Sequence, residues 1–352
     1  MKKLILLAAA VVLSVAANAK IWRVNYDQSE TADFKTLKDA TGSAKFNVGD
    51  TIYVEPGIHR GSAEQNTANK NCTIIGPGWG FQSSTNTLLD VESAIFLNDI
   101  RLSADSISIQ GIVCNDHLSF YSNATHAYIE RCKASLNLSA ISDLVVRNNY
   151  LSGLYFNSAI TSGVVEGNII IGIPTLTIPT VRLVIDHNTF VYDSNYYGLA
   201  RNATSLKTII TNNILINTSN TNVFDDEAFT EQYPISHNVV SLTAATVADD
   251  EGKYANFISE NKNTIGATIE NTFTRHIETG ITDDAMYYQV KAGAAAKTAD
   301  ANGGECGAFG GEHPYQLHGR PAGVPYLYDI NVPKHTTNNS LSISFKVAGS
   351  NE

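Results

Sequence analysis

The middle of the chain repeats one pattern of apolar and polar positions. It reads Leu144-Val-Val-Arg-Asn-Asn149-Tyr-Leu, Val164-Val-Glu-Gly-Asn168-Ile-Ile-Ile, Leu183-Val-Ile-Asp-His-Asn188-Thr-Phe, Ile209-Ile-Thr-Asn-Asn213-Ile-Leu-Ile and Ile235-Ser-His-Asn238-Val-Val. Each unit is an apolar pair or triplet, two further residues, an asparagine, and a second apolar segment. The asparagines lie 19, 20, 25 and 25 residues apart, and Cys132 holds the equivalent place 17 before Asn149. A period near 20 with two or three short strands per unit predicts a solenoid. A leucine-rich repeat would need denser leucine and a helix in each unit, and these units have neither. In a parallel β-helix, strands of successive coils pair about 4.8 Å apart. The sharp turn between two strands needs a left-handed backbone, which Asn and Gly tolerate, and Gly76 and Gly111 stand at matching turns. Stacked asparagine side chains also bond to one another as a ladder.

The ends carry different patterns. Residues 33–41 read as an amphipathic helix with Phe34, Leu37 and Ala40 on one side, suited to cap the first coil. Near the other end, Tyr326-Leu-Tyr-Asp-Ile-Asn-Val332 precedes Leu341-Ser-Ile-Ser-Phe-Lys-Val347, whose strict alternation predicts a half-buried strand and hence a hairpin. At the start, Met1-Lys2-Lys3, the apolar run Leu4 to Ala17 and Ala17-Asn18-Ala19 match a secretory signal peptide with its cleavage site. The apolar run is shorter than the ~20 residues of a spanning helix, and no later stretch is apolar enough to cross a membrane. The expected organisation is a signal peptide over 1–19, a β-helix with its N-terminal cap over 20–312, and a hairpin extension over 313–352.

Composition supports this picture. The chain of 352 residues has 33 asparagines and only 16% charged residues. Helical bundles favour Ala, Glu, Lys and Arg on their faces, so this balance favours a β protein rich in turns. The formal charge of -10 becomes -12 once Lys2 and Lys3 leave with the signal. That balance argues against a nucleic-acid partner, which would need a Lys/Arg surplus. Cys72, Cys114, Cys132 and Cys306 form no C-x-x-C pair, and buried free thiols are the expected state.

The repeats resemble those of the right-handed parallel β-helix proteins, the pectate-lyase-like superfamily. Ala32-Asp-Phe-Lys-Thr-Leu-Lys-Asp-Ala40, Val48-Gly-Asp-Thr-Ile-Tyr-Val-Glu-Pro-Gly57 and Cys72-Thr-Ile-Ile-Gly-Pro-Gly78 resemble the N-terminal cap and first coils of exported members. Tyr288-Gln-Val-Lys-Ala-Gly293 and Gly303-Gly-Glu-Cys-Gly-Ala-Phe-Gly-Gly311 resemble the closing coils of exported Bacteroidetes-type members. The resemblance implies an all-β, right-handed single-stranded parallel β-helix of about ten coils. It carries over no catalytic residue, since the paired-Asp and Gly-His-Gly signatures of β-helix polygalacturonases do not occur. The scaffold hosts lyases, hydrolases and binding proteins alike.

Candidate chemistry follows from the register. Glu130, Arg147, Glu166 and Asp186 stand two residues before the turn on successive coils. They predict a charged row, either holding register by salt bridges or offering Arg147 to a sugar carboxylate. Arg182, Asp186 and His187 lie in one coil and could supply a base and a carboxylate-binding cation to a lyase. Tyr192, Tyr196 and Tyr197, with Tyr155 two coils earlier, suggest an aromatic platform for sugar faces. Asp225-Asp226-Glu227 and Asp249-Asp250-Glu251 fall 12 and 11 residues after Asn213 and Asn238, so six carboxylates from adjacent coils are a candidate Ca²⁺ site. The leading expectation is an exported, monomeric protein that binds polysaccharide along its lateral face. A polysaccharide lyase or glycoside hydrolase acting on acidic glycans is the second, and a structural or adhesive surface protein the third.

Overall fold

The computed structural model describes residues 19–27, 32–79, 93–121, 124–158, 160–172, 174–176, 182–194, 208–219, 223–224, 234–249, 257–274, 284–319, 326–331 and 344–348. Among them the chain forms two parallel sheets, of ten and twelve strands, and a two-stranded antiparallel sheet. This is an all-β parallel β-helix. Each coil gives a strand to the first sheet, turns a corner, and gives a strand to the second. Strands therefore pair with the preceding and following coils, as Asp143–Arg147 does with His126–Glu130 and with Ser162–Glu166.

Alternation explains the core. In the first sheet Trp22, Ile52, Ile74, Ile109, Ile129, Val146, Val165, Ile185, Ile210 and Ile235 stack in register, one per coil. Every one is buried. From the second sheet Leu118, Leu136, Leu154, Phe190, Leu215 and Val240 meet them across the interior. A stack of β-branched side chains in like positions suits pleated strands paired on both sides.

The corner is more specific than the sequence pattern implied. The left-handed residue is the one before each repeating asparagine, or before Cys132 in the same place: Arg131, Asn148, Gly167, His187, Asn212, His237 and Lys262 all have φ between 49° and 63°. The asparagine after it makes the ladder. Asn149, Asn168, Asn188, Asn213, Asn238 and Asn263 are buried. Asn168 N–H and Nδ2 both donate to Asn188 Oδ1, at 3.0 and 2.9 Å, and the same pair of bonds recurs at each later step. Tight corners strip backbone groups of sheet partners, and the asparagine amide satisfies them.

At the N-terminal end a short helix, Leu37–Gly42, is capped by Thr36 Oγ1, which accepts from Asp39 N. Leu37 and Ala40 are buried against the first coil. Phe34 lies outside this helix: it bridges Val24 in parallel and packs on Trp22. The expected C-terminal hairpin forms between Tyr326–Asn331 and Ser344–Ala348.

Residues 284–319 differ from expectation. They add no strand to either parallel sheet and so do not form closing coils. They run back along the stack as a strap. Cys306 Sγ donates to His237 O, Gly307 N to Asn212 O, and Ala308 N to Thr189 Oγ1, each on a coil earlier than the last. Tyr315 then joins Trp79, Val113, Tyr150 and Ile169. The strap thus buries the outward column of the second sheet nearest the corner. Val191, Ile214, Ile216 and Val239 pack beneath its start. This explains why second-sheet strands such as Thr189–Tyr192 are buried on both faces.

Candidate functional site

The predicted charged row exists in register: Glu130 beside Arg147, Arg147 beside Glu166, Glu166 beside Asp186. Arg147 forms a salt bridge with Glu166. Its guanidinium is therefore engaged by its neighbour, as a register-holding row requires.

Arg182 does not converge with Asp186 and His187. Arg182 opens its strand and Asp186 closes it, so about 13 Å of extended chain separates them at ~3.3 Å per residue. His187 is buried under the strap, with Gly310 and Gly311 against its ring. Its Nδ1 lies 2.8 Å from Asp186 Oδ2 and its Nε2 3.6 Å from Asp300 Oδ2. Burial works to lower the imidazole pKa, but the Asp186 hydrogen bond and the charges of Asp186 and Asp300 outweigh it, so the pKa is raised. Asp300 is held low: two backbone N–H donors, from Gly304 and Asn302, and His187 outweigh its own desolvation. The group fastens the strap to the corner and is closed to a polymer.

Tyr192 also departs from expectation. Alternation puts it inside with Phe190, 2% exposed, where its ring cannot meet a sugar. Tyr196, Tyr197, Asp225, Asp226, Glu227, Asp250 and Glu251 lie outside the described residues. Asp249 ends a short helix, Ala244–Asp249, and its side chain also lies outside the description.

Tyr155 marks a site that the candidate residues otherwise missed. It stands on the outward face of the second sheet, beyond the column that the strap covers. Two strands bulge there. Val113–Phe120 has two extra residues against Lys133–Leu138, between Val113 and His117, and Tyr150–Phe156 has one, at Ser152. Bulges re-aim side chains and end the strict alternation. His117 aligns with Ser135, and Ser135 with Gly153. Gly153 leaves the room into which the Tyr155 ring folds: a Cβ there would sit 2.6 Å from Tyr155 Cε2 and 2.9 Å from Ser135 Oγ. The Tyr155 ring centre lies 6.4 Å from that of His117.

Carboxylates complete the cluster. His117 Nδ1 lies 2.7 Å from Asp116 Oδ1 and 3.7 Å from Asp99 Oδ1, and His117 N–H donates to Asp99 Oδ1 at 3.2 Å. Arg101 sits two residues beyond Asp99, over the Tyr121 ring at 5.7 Å. Below, Cys114 is buried, and desolvation raises its thiol pKa to about 12. The site thus joins a half-exposed aromatic ring, an imidazole oriented by a carboxylate, hydroxyl and amide groups, and a cation. Two signals in the sequence point here: the polar triplet Asn115-Asp116-His117 interrupting an apolar strand, and Gly153 within one.

No described helix is long and apolar enough to cross a membrane. Comparison of the chain with protein-family models, curated proteins and solved structures found no match. The fold and this lateral cluster define the chain as a parallel β-helix protein with a polar–aromatic site on its second sheet.

Proposed function

We propose that this protein is an exported carbohydrate-interacting β-helix protein of the pectate-lyase-like kind, which binds polysaccharide along the lateral face of its second sheet. The observation that supports this reading is the Tyr155 ring, laid over Gly153 beside His117, with Arg101, Ser135 and Asn137 on the same face. Sugar rings offer C–H faces to aromatics and hydroxyls to polar groups, and this face supplies both. A long polymer matches a binding surface that repeats from coil to coil. Affinity electrophoresis through gels cast with uronate-containing and neutral polysaccharides tests it. Tyr155→Ala should abolish retardation, while Tyr287→Ala, on the strap, should leave it unchanged. Retardation that survives Tyr155→Ala would refute the platform.

A lyase or hydrolase acting on acidic glycans is favoured by one observation. Asp116 holds His117 Nδ1, which leaves Nε2 as the nitrogen for proton transfer to a bound sugar. A lyase would generate unsaturated products that absorb in the near ultraviolet. Silence across a panel of uronate polymers removes the lyase, and absence of new reducing ends removes the hydrolase.

A further inference from the structure

We propose that Asp99, Asp116 and His117 bind a divalent first-row transition cation, with Zn²⁺ and Mn²⁺ as the reference ions. The three residues come from adjacent coils of the second sheet. Asp99 precedes the strand pairing Ile100 with Leu118, and Asp116 and His117 lie on the bulge of the next coil. One ligand atom from each falls within 4.8 Å of the other two. Metal bonds of about 2.1 Å place neighbouring ligand atoms roughly 3.0 Å apart in an octahedron and 3.4 Å in a tetrahedron. The separations from His117 Nδ1, 2.7 Å to Asp116 and 3.7 Å to Asp99, bracket those edges. Closing the 3.7 Å separation between His117 and Asp99 by a few tenths of an ångström brings that pair to the tetrahedral edge.

Charge balance points the same way. Asp99 and Asp116 share a single ion-pair partner, His117, and no lysine or arginine among the described residues pairs with either. A proton on the imidazole compensates one carboxylate and leaves the other. A divalent cation with neutral imidazole compensates both. The nitrogen donor selects the class of ion: Ca²⁺ and Mg²⁺ prefer all-oxygen shells, whereas imidazole with carboxylates suits Zn²⁺, Mn²⁺ and their neighbours.

The surroundings are partly built and partly open. The His117 N–H fixes Asp99 Oδ1, and Cys114 Sγ, held to His117 O at 3.5 Å, supports the bulge from inside. The side chains of His117 and Asp116 are 41% and 48% exposed, that of Asp99 22%. An ion could enter from solvent and keep coordination positions for oxygen ligands. A vicinal diol or carboxylate of a sugar lying against Tyr155 is the chemistry that would fill them. The cation itself does not depend on the polysaccharide reading, and a test with metal alone lets the two fail separately.

The test is isothermal titration of the full secreted chain, produced without a histidine tag, with ZnCl₂ and with MnCl₂. One saturable site is expected. Asp99→Asn and Asp116→Asn should each weaken it at least tenfold, and His117→Gln should remove the Zn²⁺ site. His126→Gln, which alters the separate exposed His126–Asp143 pair, should change nothing. Circular dichroism confirms that each variant is folded, and Co²⁺ absorption spectra of the wild type should show imidazole–carboxylate coordination. Two results would overturn the proposal: no saturable binding of either ion by the folded wild type, or binding that persists unchanged in the folded Asp99→Asn/Asp116→Asn double variant.

Discussion

Replacing Asn188 tests the asparagine ladder at its middle. Its side chain makes five contacts within hydrogen-bond distance. Nδ2 donates to Val165 O, Asp186 O and Asn213 Oδ1, at 2.8, 2.9 and 3.0 Å, while Oδ1 accepts from Asn168 N and Asn168 Nδ2 at 3.0 and 2.9 Å. The residue is fully buried, so water cannot replace these partners. In Asn188→Ala the Asn168 backbone N–H loses its acceptor and the Val165 carbonyl loses a donor. A stranded buried group costs about 1–3 kcal/mol. The small void adds roughly 1 kcal/mol. A loss of about 3 kcal/mol follows from those two contributions. Asn188→Asp keeps the shape yet faces three oxygens with a second oxygen, so it should cost more than alanine, about 4 kcal/mol or above, at neutral pH. Acidification should partly rescue the aspartate variant and not the alanine one, since a protonated carboxyl regains one donor. Urea unfolding followed by circular dichroism reads the shift in midpoint, with the slope checked because a solenoid can unfold in segments. Asn137→Ala, on the surface with one long contact, serves as control and should stay within about 0.5 kcal/mol. An aspartate variant as stable as wild type at pH 7 would refute the ladder as a hydrogen-bond device.

Other expectations are checked more simply. His187 has a raised pKa in the folded chain, so its stabilisation is complete below about pH 6.5, its unfolded value, and is lost as pH rises through the folded value. Asp300 has a lowered one, so its share is present above its unfolded value and lost as pH falls through the folded value. His187→Asn suits the left-handed corner, as Asn148 and Asn212 show. The gap in melting temperature between wild type and this variant should narrow from pH 6 to pH 9; a constant gap would contradict the latch. Gly153→Ala should displace the Tyr155 ring and weaken glycan retardation while shifting melting by only a few degrees; unchanged binding would count against that ring. All four thiols are buried, and desolvation raises those of Cys72, Cys114 and Cys132 to about 12 and that of Cys306 further. A thiol reagent should label none in the native chain at pH 8 and four in denaturant.

The sequence alone determined the stack. Inward residues alternate with outward ones, and the repeating asparagines mark the corners of the later coils, because the period of a strand and the geometry of a tight turn are local properties. The charged row of Glu130, Arg147, Glu166 and Asp186 was legible for the same reason, since register fixes which residues become neighbours. The sequence also placed the asparagine beside the left-handed residue without separating the two roles, which the dihedral angles assign to adjacent positions. Only the tertiary structure decided what covers the stack. The strap of residues 284–319 packs on coils 50 to more than 200 positions earlier in the chain, and no periodicity announces such a contact. That packing seals His187 and covers the outward column near the corner. Two bulges then turn Asp116, His117 and Tyr155 onto the same uncovered face. The single extra residue at Ser152 puts Tyr155 on the face opposite to the one unbroken alternation would give it, while the two extra residues before His117 keep its parity and change only what surrounds it, so the reading of function depended on a break in the very pattern from which the fold was read.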